Sequence, residues 1–434
     1  MSNTHLSETR FVDLPLVASI QAGIEDAGYT YCTPIQAKTI PLLLEGHDVA
    51  GQAQTGTGKT VAFLVATMNR LLSRPVDERR KRDQPLALIL APTRELAVQI
   101  HKDAEALNAH TGLKLGLVFG GANYEQQRNQ LSEGVDILIG TPGRIIDYFK
   151  QKIFNLRALQ AMALDEADRM FDLGFIADIR FLLRRMPDPQ KRLNMLFSAT
   201  MSFRVTELAY EHMNNPTVVA VEAESVTADK VDQVVYYTAN NEKIPVLIGL
   251  LKQIKPPRSI IFVNTKRAAD RVWRYLESND LKAGLLSGDI PQKKRLRLLE
   301  EFQNGKLPIL VATDVAARGL HIPEISHVFN FDLPQNAEDY VHRIGRTARA
   351  GASGMAISFA CEDYAFHLPE IEEYIGMKIP SEAVDPELLA EPAPPVKPIK
   401  SAKPQHGRRN QGKGRDNSGG RRRQGGRQSK PKRD

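Results

Sequence analysis

Short apolar runs alternate along most of this chain with stretches whose apolar residues recur at helical spacing. DVAGQ (48–52), ALILAP (87–92), LKLGLVFGG (113–121), VDILIGTP (135–142), MALDEAD (162–168) and LNMLFSAT (193–200) read as strands, with RELAVQIHKDAEAL (94–107) among the helical stretches between them. The theme repeats in RSIIFVNT (258–265), KAGLLSGD (282–289), LPILVATD (307–314), SHVFNFDLP (326–334) and GMAISFA (354–360). These runs are apolar almost throughout rather than alternating, as expected of parallel strands covered on both faces. Two such blocks predict an α/β protein with two tandem, doubly wound, parallel-sheet domains over residues 1–218 and 231–380. In such sheets the chemistry lies at the carboxyl ends of the strands, where these runs give way to polar strings.

Between the blocks, NNPTVVAVEAESVTADKVDQ (214–233) is polar and rich in small residues at its centre, and residues 219–230 are expected to form a linker. SEAVDPELLAEPAPPV (381–396) is acidic and Pro-rich, with little to fill a core, and the Gly/Arg/Gln-rich stretch beyond it has no aromatic residue. Disorder is therefore expected over 381–434.

The overall content of 42% hydrophobic and 25% charged residues is ordinary for globular cores. The net charge of +7 hides an asymmetry. Lys397–Asp434 carry 14 Lys or Arg against 2 Asp or Glu, a net of +12, while residues 1–396 carry 44 against 49, a net of −5. A tail holding the whole basic excess suits a polyanion-binding arm. No apolar stretch approaches the roughly 18 residues of a membrane span, and the first residues, MSNTHLSETRF, lack the apolar core of a signal peptide. Cys32 and Cys361 give neither a disulfide framework nor metal-ligand spacing, so the expected location is the reducing cytoplasm.

Two polar strings carry recognisable chemistry. In AQTGTGKT (53–60), Gly56 and Gly58 allow a tight loop of backbone N–H groups, Lys59 suits the β/γ-phosphates and Thr60 a metal ion. Ala53 stands where the general phosphate-loop pattern has its first glycine, and a Gly/Thr-rich surface turn ending in Lys-Thr is the competing reading. In DEAD (165–168), Asp165 suits the metal and Glu166 is a candidate base. A phosphate loop and a carboxylate pair at two strand ends together point to nucleoside triphosphate hydrolysis.

With other short motifs in order and spacing, these strings resemble the DEAD-box family of ATP-dependent RNA helicases over roughly residues 10–375. The resemblance implies RecA-like domains, ATP with Mg²⁺, and an RNA partner bound with little sequence preference. GYTYCTPIQ (28–36) resembles the adenine-reading motif, which places Gln36 on the base edge and Phe11, seventeen residues before Gly28, against the base. The phosphate loop then comprises Ala53, Gln54, Thr55, Gly56, Thr57, Gly58, Lys59 and Thr60. PTRELA (92–97), Gly120-Gly121 and TPGR (141–144) resemble loops that hold an RNA backbone, through Thr93, Arg94, Thr141 and Arg144. SAT (198–200) resembles the motif that couples ATP binding to strand separation, with Ser198 and Thr200 hydrogen-bonded to Asp168. In the second block Gln292, Arg295 and Thr313 are implied RNA contacts, and Arg318 and Gly319 lie near the nucleotide. YVHRIGRTARAG (340–351) supplies His342 and Arg343 for coupling, and Arg346 and Arg349 as arginine fingers three apart on one side of a helical turn.

Four departures from the family pattern narrow the resemblance. Cys32 replaces a proline, Leu320-His321 replaces a pair ending in a ribose-bonding aspartate, and Ala348 replaces a glycine. They resemble a bacterial branch associated with RNA degradation, which implies ribonuclease E as a protein partner of the second domain and a monomeric chain. An ATP-dependent RNA clamp with little unwinding of its own is the main competing function. A DNA helicase is a further one, which the Gln36 motif and the DEAD spelling oppose.

Overall fold

The computed structural model describes residues 6–54, 56–74, 77–221, 231–288, 290–317, 325–348, 354–389 and 391–396. One sheet contains β1 (Val49–Gln52), β2 (Ala87–Leu90), β3 (Leu115–Val118), β4 (Ile137–Gly140), β5 (Ala161–Leu164), β6 (Leu193–Ser198) and β7 (Thr217–Ala220). The other contains β8 (Val231–Tyr237), β9 (Ser259–Val263), β10 (Ala283–Leu286), β11 (Ile309–Thr313), β12 (His327–Asn330), β13 (Gly354–Ala360) and β14 (Ser381–Glu382). The strand orders are β3-β4-β2-β5-β6-β1-β7 and β10-β11-β9-β12-β13-β8-β14. Seven positions apart in numbering, these are the same order, so the two halves repeat one topology. Every pairing in both sheets is parallel.

The apolar runs work as parallel strands because each face meets helices. Ala87 and Ile89 of β2 enter one core and Leu88 and Leu90 the other. In β9, Ile261 and Val263 face one core and Ile260 and Phe262 the opposite one. This two-residue alternation between two buried faces is why the run itself shows no polar alternation.

Two stretches hold more structure than their composition suggests. The expected linker begins inside β7, an edge strand beside β1 whose side chains are mostly exposed and so leave no apolar run to read. Residues 222–230 of that linker lie outside the described residues.

The acidic, Pro-rich stretch from 381, expected to be disordered, is packed. Its first residues pair with β8, and Leu388 is buried against the helix Lys243–Ile254. At Gly249 an added Cβ would lie 2.9 Å from Leu388 Cδ2. Further on, the backbone of Ala393 exchanges hydrogen bonds with the Asn279 amide at 3.0 and 3.2 Å. Leu388, Val384, the Glu382 carboxylate and a series of backbone bonds hold this segment, and so few contacts leave little compositional trace. Residues 397–434, expected to be a disordered basic arm, lie outside the described residues.

Candidate functional site

The phosphate loop leaves the end of β1 and enters the helix Lys59–Ser73. Gly56 and Gly58 have φ of 89° and 90°, a region open to glycine at little cost. Gly58 is doubly constrained, since a Cβ there would lie 2.4 Å from Gln36 Nε2. Gln36 is buried, donates to the Gly58 carbonyl at 2.9 Å and accepts from Thr33 N at 2.8 Å. The second amide hydrogen and the second lone pair remain for a base edge. Thr57 donates to the Gln54 carbonyl at 2.7 Å, and buried Lys59 donates to the Ala53 carbonyl at 2.5 Å. Thr60 follows Lys59 in the first helical turn. Phe11 sits in the core with only 2% of its surface exposed, 6.2 Å from the more open ring of Tyr29. The stacking role expected of Phe11 has no open ring face in this arrangement.

Asp165 and Glu166 follow β5. Burial pushes the Asp165 carboxyl up to about 7; the nearby Lys59 cation opposes that rise and the Glu166 charge adds to it. Glu166 adopts a left-handed φ of 52°, a costly conformation for a non-glycine residue that is held by its surroundings. Its carboxylate pairs with Arg169 Nη1 at 3.2 Å, a partner that the sequence shows only as the residue after DEAD. Asp168 bridges to the end of β6, as expected. Its N–H donates to Ser198 Oγ at 3.1 Å, and its Oδ2 accepts from the Ala199 and Thr200 N–H groups at 3.1 and 3.0 Å and from Thr200 Oγ1 at 3.3 Å.

The loops expected to hold RNA also follow strand ends. Thr93 caps the helix Arg94–Leu107, and Thr141 precedes the helix Pro142–Lys150. A Cβ at Gly120 or Gly121 would lie 3.1 or 2.5 Å from the Arg94 guanidinium, so the glycine pair makes room for that side chain. Arg144 lies over the rings of Tyr124 and Tyr148 at 4.9 and 5.4 Å, a support that the motif alone did not reveal.

Residues of the second half meet these loops. Arg94 Nη1 donates to Gln292 Oε1 at 3.2 Å and Gln292 Nε2 donates to Glu95 Oε1 at 2.8 Å. Arg295 Nε pairs with the same Glu95 oxygen at 2.7 Å, and its Nη2 donates to the Ala316 carbonyl at 2.6 Å. Glu95, inside the PTRELA string, is the residue sequence reading passed over: it ties the two halves together. Thr313 is buried at the end of β11.

Arg343 is 1% exposed and braces the second half from within. It binds Asp314 through Nε and Nη2, both at 2.7 Å, the Asp332 carbonyl at 2.6 Å and Asn264 Oδ1 at 2.8 Å. Asp332 in turn holds buried Lys243 at 2.5 Å. His342 is more open, 4.0 Å from Asp339.

The helix Ala337–Ile344 ends before Arg346. That residue lies in the following turn, where Thr347 Oγ1 donates to the Ser326 carbonyl at 3.1 Å. Arg346 and His342 line a cavity of about 350 Å³ together with Glu166, Asp168 and Arg169 of the first half. Thr55, Arg318, Gly319, Leu320, His321 and Arg349 lie outside the described residues.

Ala348 has a φ of 54°, which explains the family's glycine at this position. Ala348→Gly is therefore expected to raise stability by about 1 kcal/mol, read as an increase in the midpoint of denaturant unfolding.

Comparison with known proteins agrees with this geometry. The DEAD/DEAH box helicase family matches residues 33–208, and the helicase conserved C-terminal domain matches residues 242–351. The chain is 58% identical over 395 residues to the ATP-dependent RNA helicase RhlB of Shewanella halifaxensis, covering 91% of each. It is 58% identical over 394 residues to RhlB of Vibrio cholerae, covering 91% of this chain and 90% of the other. The structure of S. cerevisiae Dbp5 bound to RNA and ADP BeF3 matches with a TM-score of 0.77 at 30% identity, over 87% of this chain and 96% of that one. No helix among the described residues is long and apolar enough to cross a membrane. With both halves matched, the phosphate loop and DEAD box in place and curated relatives alike over nearly the whole length, the chain belongs to the DEAD-box family of ATP-dependent RNA helicases, which hydrolyse ATP.

Proposed function

We propose that this chain couples hydrolysis of ATP to the local opening of short RNA duplexes, in two domains of about residues 1–218 and 231–380, as part of a cytoplasmic RNA-degrading assembly. The observation that carries the reading is the shared cavity, where Arg346 of the second half faces the carboxylates of the first. ATP binds the first half through Gln36, the phosphate loop and Lys59. Only with the halves together does Arg346 come near the γ-phosphate. RNA laid across Thr93, Arg94, Thr141 and Arg144 and across Gln292, Arg295 and Thr313 favours that arrangement, because its affinity for the closed state is higher. Holding one strand against both halves displaces its complement. Hydrolysis then removes the γ-phosphate that keeps the cleft closed.

The carboxylates fit Mg²⁺. Asp165 is a buried carboxyl whose ionisation is opposed by its surroundings, with Glu166 adding negative charge, so a divalent cation answers a local excess of charge. Among the described residues no cluster of three or more His, Cys, Asp or Glu forms a cation cage, as suits an ion held jointly by protein and phosphates. Asp165 and Thr60 would hold it, partly through water. Bound there, the ion would neutralise phosphate charge.

Likeness to RhlB, together with Cys32, His321 and Ala348, supports ribonuclease E as the partner. The deciding experiment is the ATPase rate with single-stranded RNA, with DNA of equal length, and with RNA plus the non-catalytic region of ribonuclease E. Stimulation by RNA alone among the nucleic acids, and a further rise with the partner, is the expected pattern. Stimulation without strand displacement would instead favour an ATP-dependent clamp.

Two further outcomes are expected. Glu95→Ala leaves Arg295 without its carboxylate, so the RNA needed for half-maximal ATPase rises about tenfold or more while ATPase without RNA stays the same. Deleting residues 397–434 removes 14 cations, so the slope of log affinity against log salt flattens for RNA. An unchanged slope would show that the tail does not touch RNA.

A further inference from the structure

The helix Lys266–Ser278 carries cations where a helix favours them least. Lys266 and Arg267 occupy its first turn, which holds no acidic residue, against the positive end of the helix dipole. Arg271 and Arg274 follow Arg267 at steps of four and seven, which places all three on one face. Ala269, Val272 and Leu276 bury the opposite side. Arg267 and Arg271 are exposed, and among the described residues neither has a carboxylate at ion-pair distance; Arg274 alone has Asp270, at 3.7 Å. Like charges four apart on a helix repel, so Arg267 and Arg271 disfavour each other.

Both ends of the stripe meet other segments of the second half. At the first turn, the Lys266 ammonium lies 3.4 Å from where a Cβ on Gly288 would stand, in the segment that leads to Gln292 at the cleft. At the far end, Arg274 donates to the Val396 carbonyl, and Ser278 and Asn279 donate to the Ala393 carbonyl at 3.3 and 3.2 Å. These bonds hold the backbone at Ala393 and Val396 beside the end of the helix.

We propose that Arg267 and Arg271 form a track for the phosphate backbone of RNA extending beyond the strand held in the cleft. The proposal rests on the RNA-binding reading above. Contacts of this kind hold a backbone without reading its sequence.

The test is the double variant Arg267→Ala/Arg271→Ala in the full chain. RNA affinity is measured against salt for a short strand that spans only the cleft and for one extended on both sides, with ATPase followed in parallel. The extended strand should lose about 1.4 from the slope of log affinity against log salt, the release expected for two phosphate contacts on a single strand. Affinity for the short strand and the ATPase that it stimulates should match the unaltered chain. An unchanged slope with the extended strand, or an equal loss with the short one, overturns the track. Loss of a protein partner with RNA affinity intact overturns it as well, by showing that the face serves another ligand. Failure of the underlying reading looks different, because the unaltered chain itself would then show no ATPase stimulation by the short strand.

Discussion

Glu166→Gln is expected to bind ATP and RNA and to turn over ATP about 10²–10⁴-fold more slowly, the usual contribution of a positioned general base. The substitution keeps size and shape, and the amide oxygen can still accept from Arg169, 3.2 Å away in the present structure. The left-handed backbone at position 166 is set by the turn out of β5 and is retained. Removing the Glu166 charge also removes one of the influences that raise the Asp165 carboxyl, so Asp165 ionises more readily and the phosphate site is not weakened. The measurement is single-turnover hydrolysis beside equilibrium binding of ATP. Unaltered hydrolysis removes Glu166 as the base. Loss of ATP binding along with turnover shows instead that its pairing with Arg169 builds the site.

The parts of this architecture that were legible in the sequence are those where one residue type must serve one geometry. Central strands covered on both faces have to be apolar throughout, and β2, β4, β9 and β11 lie inside the runs read as strands. Gly58 has to lack a side chain because Gln36 fills the space and its φ is positive. The edge strands β7 and β14 escaped because solvent relaxes that demand there: β7 shows mostly exposed side chains and β14 contributes two residues. Interactions across the halves escaped for another reason. Glu95, Gln292 and Arg295 are nearly two hundred positions apart, and neither periodicity nor composition encodes which carboxylate an arginine will meet. Arg343 shows the limit of motif spacing. Its string suggested a coupling role, whereas its three close partners, Asp314, Asp332 and Asn264, all belong to the second half.

Arg346→Ala should have the largest effect of any change in the second half. Guanidinium groups that reach a transferring phosphoryl group typically contribute about 10³–10⁵ in rate, because they meet charge that develops only in the transition state. Arg346 is buried in the cavity that Glu166 also lines, and the neighbouring Thr347 is pinned to the Ser326 carbonyl, so its backbone is held in place. RNA-stimulated turnover should therefore fall by about 10³-fold or more, while ATP affinity, which rests on the first half, changes little. RNA affinity without nucleotide should also persist, since Arg346 is not among the residues that join Arg94 and Glu95 to Gln292 and Arg295. Arg346→Lys separates charge from geometry: a compact ammonium keeps the positive charge but loses the planar fork, and should recover only a small part of the rate. Full activity in the lysine variant would mean that a positive charge in the cavity is sufficient. Full activity in the alanine variant would place hydrolysis within the first half alone and remove the reason for the cleft to close.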